Sequence, residues 1–203
     1  MNWMKKVAVA LVCLLPLGLQ AAKVDTLQVK SPSMNKSIEV VVVSPDVAAT
    51  KACPVIYLLH GYGGNARTWV GIKPDLPKIA DEKGIFFVCP DGKNTWYWDS
   101  PLNADVRYET FISDELVKYV DSHYKTVADR KGRAITGLSM GGHGAMWNGL
   151  RHSDVFSAAG STSGGVDIRP FPKNWEMSVQ IGEKANDSFF FENIFTHTDN
   201  TKS

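Results

Sequence analysis

Short, wholly apolar runs alternate along the chain with longer stretches in which apolar residues recur at helical spacing. Val55–Leu59 reads Val-Ile-Tyr-Leu-Leu directly after Pro54, the pattern of a strand buried on both faces that begins at a proline. Residues 85–88 form a second such run, stopped by Pro90-Asp91-Gly92. Residues 37–43 are rich in β-branched side chains and end at Ser44-Pro45-Asp46, so they predict a strand and a turn. Arg133–Leu138 and residues 156–159 complete the predicted strands. Between them, residues 74–83 predict a helix whose start Pro77 constrains. Residues 105–124 place Tyr108, Phe111, Ile112, Leu116, Tyr119 and Val120 on one helical face, and residues 141–151 predict the next helix. Strands alternating with helices specify an α/β fold, a mostly parallel sheet with helices on both faces. Such sheets carry their active sites at the carboxyl ends of the strands.

Residues 1–22 follow another pattern. Lys5 and Lys6 precede an apolar run from Val7 to Leu15, followed by Pro16, Gly18, Ala21 and Ala22. A basic start, a short apolar core and small residues predict a secretory signal cleaved near Ala21 or Ala22, hence a secreted or periplasmic protein. The run is shorter than the ~20 residues of a membrane span, so no span is expected after cleavage. Residues 23–203 are read as one domain, because no repeat, linker or low-complexity tract interrupts them.

Charge changes the picture by exclusion. The formal charge of +1 becomes −1 once residues 1–22, with two lysines and no acid, are set aside. A near-neutral domain offers no electrostatic footing for nucleic acid. Cys53 lies at the entry of one predicted strand and Cys89 closes the next. At ~3.3 Å per residue, those ends of parallel neighbours lie roughly 20 Å apart, and a bridge needs Cα atoms within about 7 Å. Both thiols are expected to be free.

The chemistry concentrates at two glycine-rich junctions. Gly137-Leu138-Ser139-Met140-Gly141 matches G-x-S-x-G between a predicted strand and a predicted helix. There a sharp turn would lift the Ser139 hydroxyl above the sheet, with small residues on either side letting strand and helix approach. A chain of this length holds such a match by chance about one time in fifteen, so context has to decide. The context is His60-Gly61-Tyr62-Gly63-Gly64, directly after the buried strand Val55–Leu59. Acyl transfer needs donors aimed at a tetrahedral oxyanion. The backbone N–H groups of Met140 and Tyr62 are the candidates for that hole.

The combination is more specific than either motif. Leu-Leu-His-Gly-Tyr-Gly-Gly at 58–64, Pro-Asp-Gly at 90–92, Trp-Tyr-Trp-Asp-Ser-Pro at 96–101, Tyr-Glu-Thr-Phe at 108–111 and Gly-Leu-Ser-Met-Gly-Gly-His-Gly-Ala at 137–145 resemble the esterase D family of α/β-hydrolases. That family includes carbohydrate and feruloyl esterases, S-formylglutathione hydrolases and mycolyltransferases. The resemblance implies an acyl-serine mechanism with Ser139 as nucleophile and neither cofactor nor metal. An exported enzyme of this kind would act on acyl esters of carbohydrates, of acetyl or feruloyl type. An acyltransferase of the mycolyltransferase type, or a carbohydrate-binding protein that keeps the fold without catalysis, are the alternatives. Trp96 and Trp98 are candidates for contact with a sugar ring or an aromatic acyl group, with packing on the core equally open. Asp99 is a candidate for a substrate hydroxyl, against a turn-capping role.

The rest of the triad is not legible. In this fold the acid and the histidine follow the serine on later strands. His143 sits on the helix behind the elbow, His60 is expected to order the oxyanion loop, and His123 and His152 end predicted helices. Only His197, beside Asp199, lies in a suitable region, and no acid strand precedes it. The expectation is therefore a chain without the last strands of the fold, and with little turnover of its own.

Overall fold

The computed structural model describes residues 22–100 and 103–166. Residues 1–21 of the expected 1–22 signal, the Phe189-Phe190-Phe191 run, His197 and Asp199 lie outside the described residues. Six strands form one mixed sheet in the order β1-β2-β4-β3-β5-β6. They are β1 (Lys23–Ser31), β2 (Lys36–Ser44), β3 (Val55–Leu59), β4 (Phe86–Pro90), β5 (Arg133–Leu138) and β6 (Ala158–Thr162). β3, β4, β5 and β6 run parallel, whereas β2 is antiparallel to both β1 and β4. The helices are α1 (Thr68–Ile72), α2 (Leu76–Lys83), α3 (Tyr108–Thr110), α4 (Leu116–His123) and α5 (Met140–Arg151), with one π turn over Phe111–Glu115 joining α3 to α4. This is the α/β architecture the hydrophobic pattern specified.

Alternation along the strands builds two cores. Val40 and Val42 of β2, Tyr57 and Leu59 of β3, and Phe86 and Val88 of β4 point to one face. There they meet Phe111, Ile112 and Leu116 of the long helical segment and Met140 of α5. Val41, Val43, Leu58, Phe87 and Cys89 point to the other face, against Leu76 and Ala80 of α2. A strand side-chain period of two leaves no other arrangement once both faces are covered.

One strand and two boundaries differ from the sequence reading. β1 carries Lys23, Asp25, Thr26, Gln28 and Lys30 among its nine residues, a composition that reads as loop. It forms because its whole length pairs with β2, from Lys23↔Ser44 to Ser31↔Lys36. β6 starts at Ala158, opposite Ala134, rather than at residue 156, and the Phe156 ring packs edge-on against Tyr57 at 5.7 Å. The helix expected from residue 105 starts at Tyr108, because Arg107 is held in a β-bridge to Asp99. Cys53 and Cys89 are free and buried, and they belong to the two opposite core faces.

Candidate active site

The carboxyl ends of the parallel strands form one rim. Leu59 pairs with Gly137, and Leu138 with Thr162, so His60-Gly61-Tyr62 and Ser139 leave the sheet side by side. A Cβ built on Gly61 would lie 3.5 Å from the Ser139 Cβ. The two glycine-rich motifs, some 80 positions apart in sequence, meet at one point.

Ser139 lies between β5 and α5 with φ 54° and ψ −117°, a conformation that strains a residue bearing a Cβ. Its neighbours explain how the turn is held. A Cβ on Gly137 would lie 2.2 Å from the Gly141 carbonyl oxygen, and one on Gly141 would lie 2.2 Å from the Leu59 oxygen. Both positions of the motif are therefore glycine because backbone occupies the space. The Ser139 N–H donates to the Thr162 oxygen at 2.8 Å, and its carbonyl accepts from the His143 N–H at 3.0 Å. Among the described residues, neither the Met140 N–H nor the Tyr62 N–H has an acceptor. Two free N–H groups flanking a serine on a strained turn suit a developing oxyanion.

The Gly61–Gly64 loop is fixed from below by His60, which is fully buried. Its Nε2 accepts the Gly92 N–H at 2.9 Å, so the ring proton sits on Nδ1, which donates to the Gly61 oxygen at 2.7 Å. The Tyr97 hydroxyl donates to the His60 carbonyl at 3.1 Å, and Asn94 Oδ1 accepts the Gly63 N–H at 2.8 Å. Asp91 stands 3.5 Å from His60 Nε2. Burial opposes its charge, but Lys93 outweighs that and holds the carboxyl below the ordinary value. Because Nε2 is already an acceptor, Lys93 carries most of this effect. Its ammonium is 2.5 Å from Oδ2 and its N–H 2.9 Å from Oδ1.

The tryptophan segment lies on the first core face. Trp96 and Tyr97 both adopt left-handed backbone, at φ 58° and 63°, and Trp96 and Trp98 are buried. Their rings stack at 6.1 Å and close around His143, with centroids 5.6 and 4.8 Å away, and Trp147 lies against its other side. His143 Nδ1 donates to the Gly165 oxygen at 2.5 Å. Burial pulls its pKa down to about 4 against the help of that bond. His143 is thus a buried neutral ring that ties α5 to the segment after β6. Asp99 gives both carboxylate oxygens to Thr110, at 3.0 Å to the N–H and 2.5 Å to the hydroxyl, which caps the start of the long helical segment.

Glu109 carries a network that sequence reasoning missed. It accepts from Trp147 Nε1, Arg151 Nε and His152 Nε2 at 2.7–2.8 Å, binding α3 to the far end of α5. Burial raises its pKa, but these three partners outweigh that and keep it below the ordinary value. The Tyr-Glu-Thr-Phe motif was the available signal, but a glutamate's partners some forty residues on cannot be read from spacing. His123 lies flat on Tyr119 at 4.0 Å. His60, His143, His123 and His152 are therefore all engaged elsewhere, and among the described residues none is hydrogen-bonded to Ser139.

A mixed sheet flanked by helices, with a serine on a strained strand-to-helix turn beside a glycine-rich loop, defines the α/β-hydrolase class. The chain belongs to the family described as Putative esterase, which it matches over residues 31–200. It is 30% identical over 149 residues to Esterase Rv1288 of Mycobacterium tuberculosis, covering 70% of this chain and 32% of that protein. It is 34% identical over 147 residues to an endo-1,4-beta-xylanase/feruloyl esterase of Xylanibacter ruminicola, covering 66% of this chain and 20% of the relative. Among solved structures, a ferulic acid esterase superposes with a TM-score of 0.59 at 32% identity, over 68% of this chain and 61% of that one. The chain thus spans about a third of the length of Esterase Rv1288. No helix among the described residues is long and apolar enough to cross a membrane.

Proposed function

We propose that the protein is an exported serine carboxylic ester hydrolase acting on acyl esters of carbohydrates. The observation that carries this reading is Ser139 at φ 54°, beside the acceptor-free N–H groups of Tyr62 and Met140. In the proposed reaction the Ser139 oxygen attacks the ester carbonyl. The two N–H groups take up the oxyanion, and the alcohol leaves with the proton a base has taken from the serine. Water then releases the acid from the acyl-serine by the same steps. The described residues hold no base for Ser139, so the acid and histidine are assigned to residues outside them. Export rests on the pattern of residues 1–22. The carbohydrate assignment is supported by the likeness to a protein whose name joins a xylanase to a feruloyl esterase.

The experiment is release of acetate and ferulate from acylated xylo-oligosaccharides. It uses this chain and a form extended with a relative's C-terminal segment, each beside Ser139→Ala. The expected result is release only by the extended form, lost in Ser139→Ala. Release by the short form that vanishes in both Ser139→Ala and His197→Ala would make His197 the base. Release that survives Ser139→Ala would overturn the reading.

A further inference from the structure

The rim of the sheet carries a concavity away from Ser139, a pocket of about 340 Å³. That lies at the lower end of the ~300–1,000 Å³ typical of small-molecule sites. It is bounded by β1 and β2, by the continuation of the oxyanion loop, and by the turn after β4. β2 is separated from β5 by β4 and β3. Three strand steps of ~4.8 Å place the pocket roughly 14 Å along the rim from the nucleophile strand.

Its walls are tied to the framework. The Asp91 N–H donates to the Glu39 oxygen at 2.9 Å, fastening the β4 turn to β2. Asn65 Oδ1 accepts the Arg67 N–H at 2.8 Å, and Arg67 Nη2 donates to Thr26 Oγ1 of β1 at 2.9 Å. The lining mixes charges in equal number, with Arg67 and Lys93 against Glu39 and Asp91. Lys93 is neutralised by Asp91 at 2.5 Å. The Gln28 amide, the Glu39 carboxylate and the Asn65 amide nitrogen have no partner among the described residues.

This chemistry selects its ligand. Two carboxylates count against an anion, and polar groups on every wall count against an acyl chain. Interleaved donors and acceptors with no net charge match a neutral ligand dense in hydroxyls, each of which both donates and accepts. We propose that the pocket is a saccharide subsite, holding units of the ester's alcohol part a short way along the chain from the acylated one. The proposal rests on the esterase reading for the order of events, but the binding it requires does not depend on catalysis.

The test is calorimetric titration of the purified 203-residue chain with unacylated xylohexaose, beside inorganic phosphate as an anion probe. The double variant Gln28→Ala/Arg67→Ala removes two exposed side chains, and its circular dichroism melt reports whether it folds. Asn65→Ala provides a second, independent variant. The expected result is saturable xylohexaose binding, weakened about tenfold or more in folded variants, with no phosphate binding. No oligosaccharide binding, binding indifferent to both variants, or binding of phosphate instead would overturn the proposal. Hydrolysis of p-nitrophenyl acetate, which has no saccharide, by the form extended with a relative's C-terminal segment reports on the esterase reading separately.

Discussion

Ser139 and the two glycines around it show how a motif becomes geometry. A Cβ on Gly141 would lie 2.2 Å from the Leu59 oxygen, and backbone on that side cannot give way without moving β3. Gly141→Ala should cost about 3 kcal/mol or more, read as a shift of the urea midpoint. Gly71→Ala, where nothing lies within 4 Å, should leave the midpoint equal or higher. Equal losses at both positions would deny the packing argument. The oxyanion donors make a second residue-scale claim. In a form that turns over, Tyr62→Phe should leave kcat nearly unchanged, whereas Tyr62→Pro removes the N–H and should lower it ~10²-fold or more. His143 gives a pH signature. Its pKa is about 4 in the folded chain against 6.5 ordinarily, so between those values the unfolded chain binds a proton that the folded chain refuses. Stability is full above pH ~6.5 and falls as pH drops towards ~4, by on the order of 3 kcal/mol. His143→Gln should flatten that part of the melting-temperature profile, and an unchanged slope would count against burial as the cause. The motif residues were legible because their spacing is local. The aromatic enclosure of His143 was not, since Trp98 reaches it from 45 positions away.

At the scale of elements, apolar runs located β3 and β4 because strands buried on both faces leave little room for polar residues, whereas β2 was located by its β-branched content and the turn after it. β1 escaped because an edge strand keeps one side in water, and its register is supplied by β2 rather than by its own pattern. The π turn at Phe111–Glu115 shifts the helical phase by one residue, which a search for a uniform 3.6-residue period passes over. The two-residue strand period also fixes the cysteines. Cys53 and Cys89 lie on opposite faces, each with its thiol pKa raised by burial. Alkylation of unreduced, unfolded protein should label both, and a Cys53–Cys89 disulfide would contradict the strand assignment.

For the whole molecule, parallel β3, β4 and β5 deliver the glycine-rich loop, the Asp91 turn and Ser139 to one rim, as α/β sheets do. This much of the site followed from the sequence because each piece directly follows an apolar run. The base and acid did not, because no run-and-turn signal after Ser163 marks their strands, and His197 lies outside the described residues. The central claim is that Ser139 carries the acyl group. It is tested most directly by quenching the form extended with a relative's C-terminal segment during p-nitrophenyl acetate turnover and mapping its peptides by mass spectrometry. An acetyl group on the peptide holding Ser139, absent in Ser139→Ala together with turnover, is the predicted result. Acetylation elsewhere with turnover intact in Ser139→Ala would contradict it.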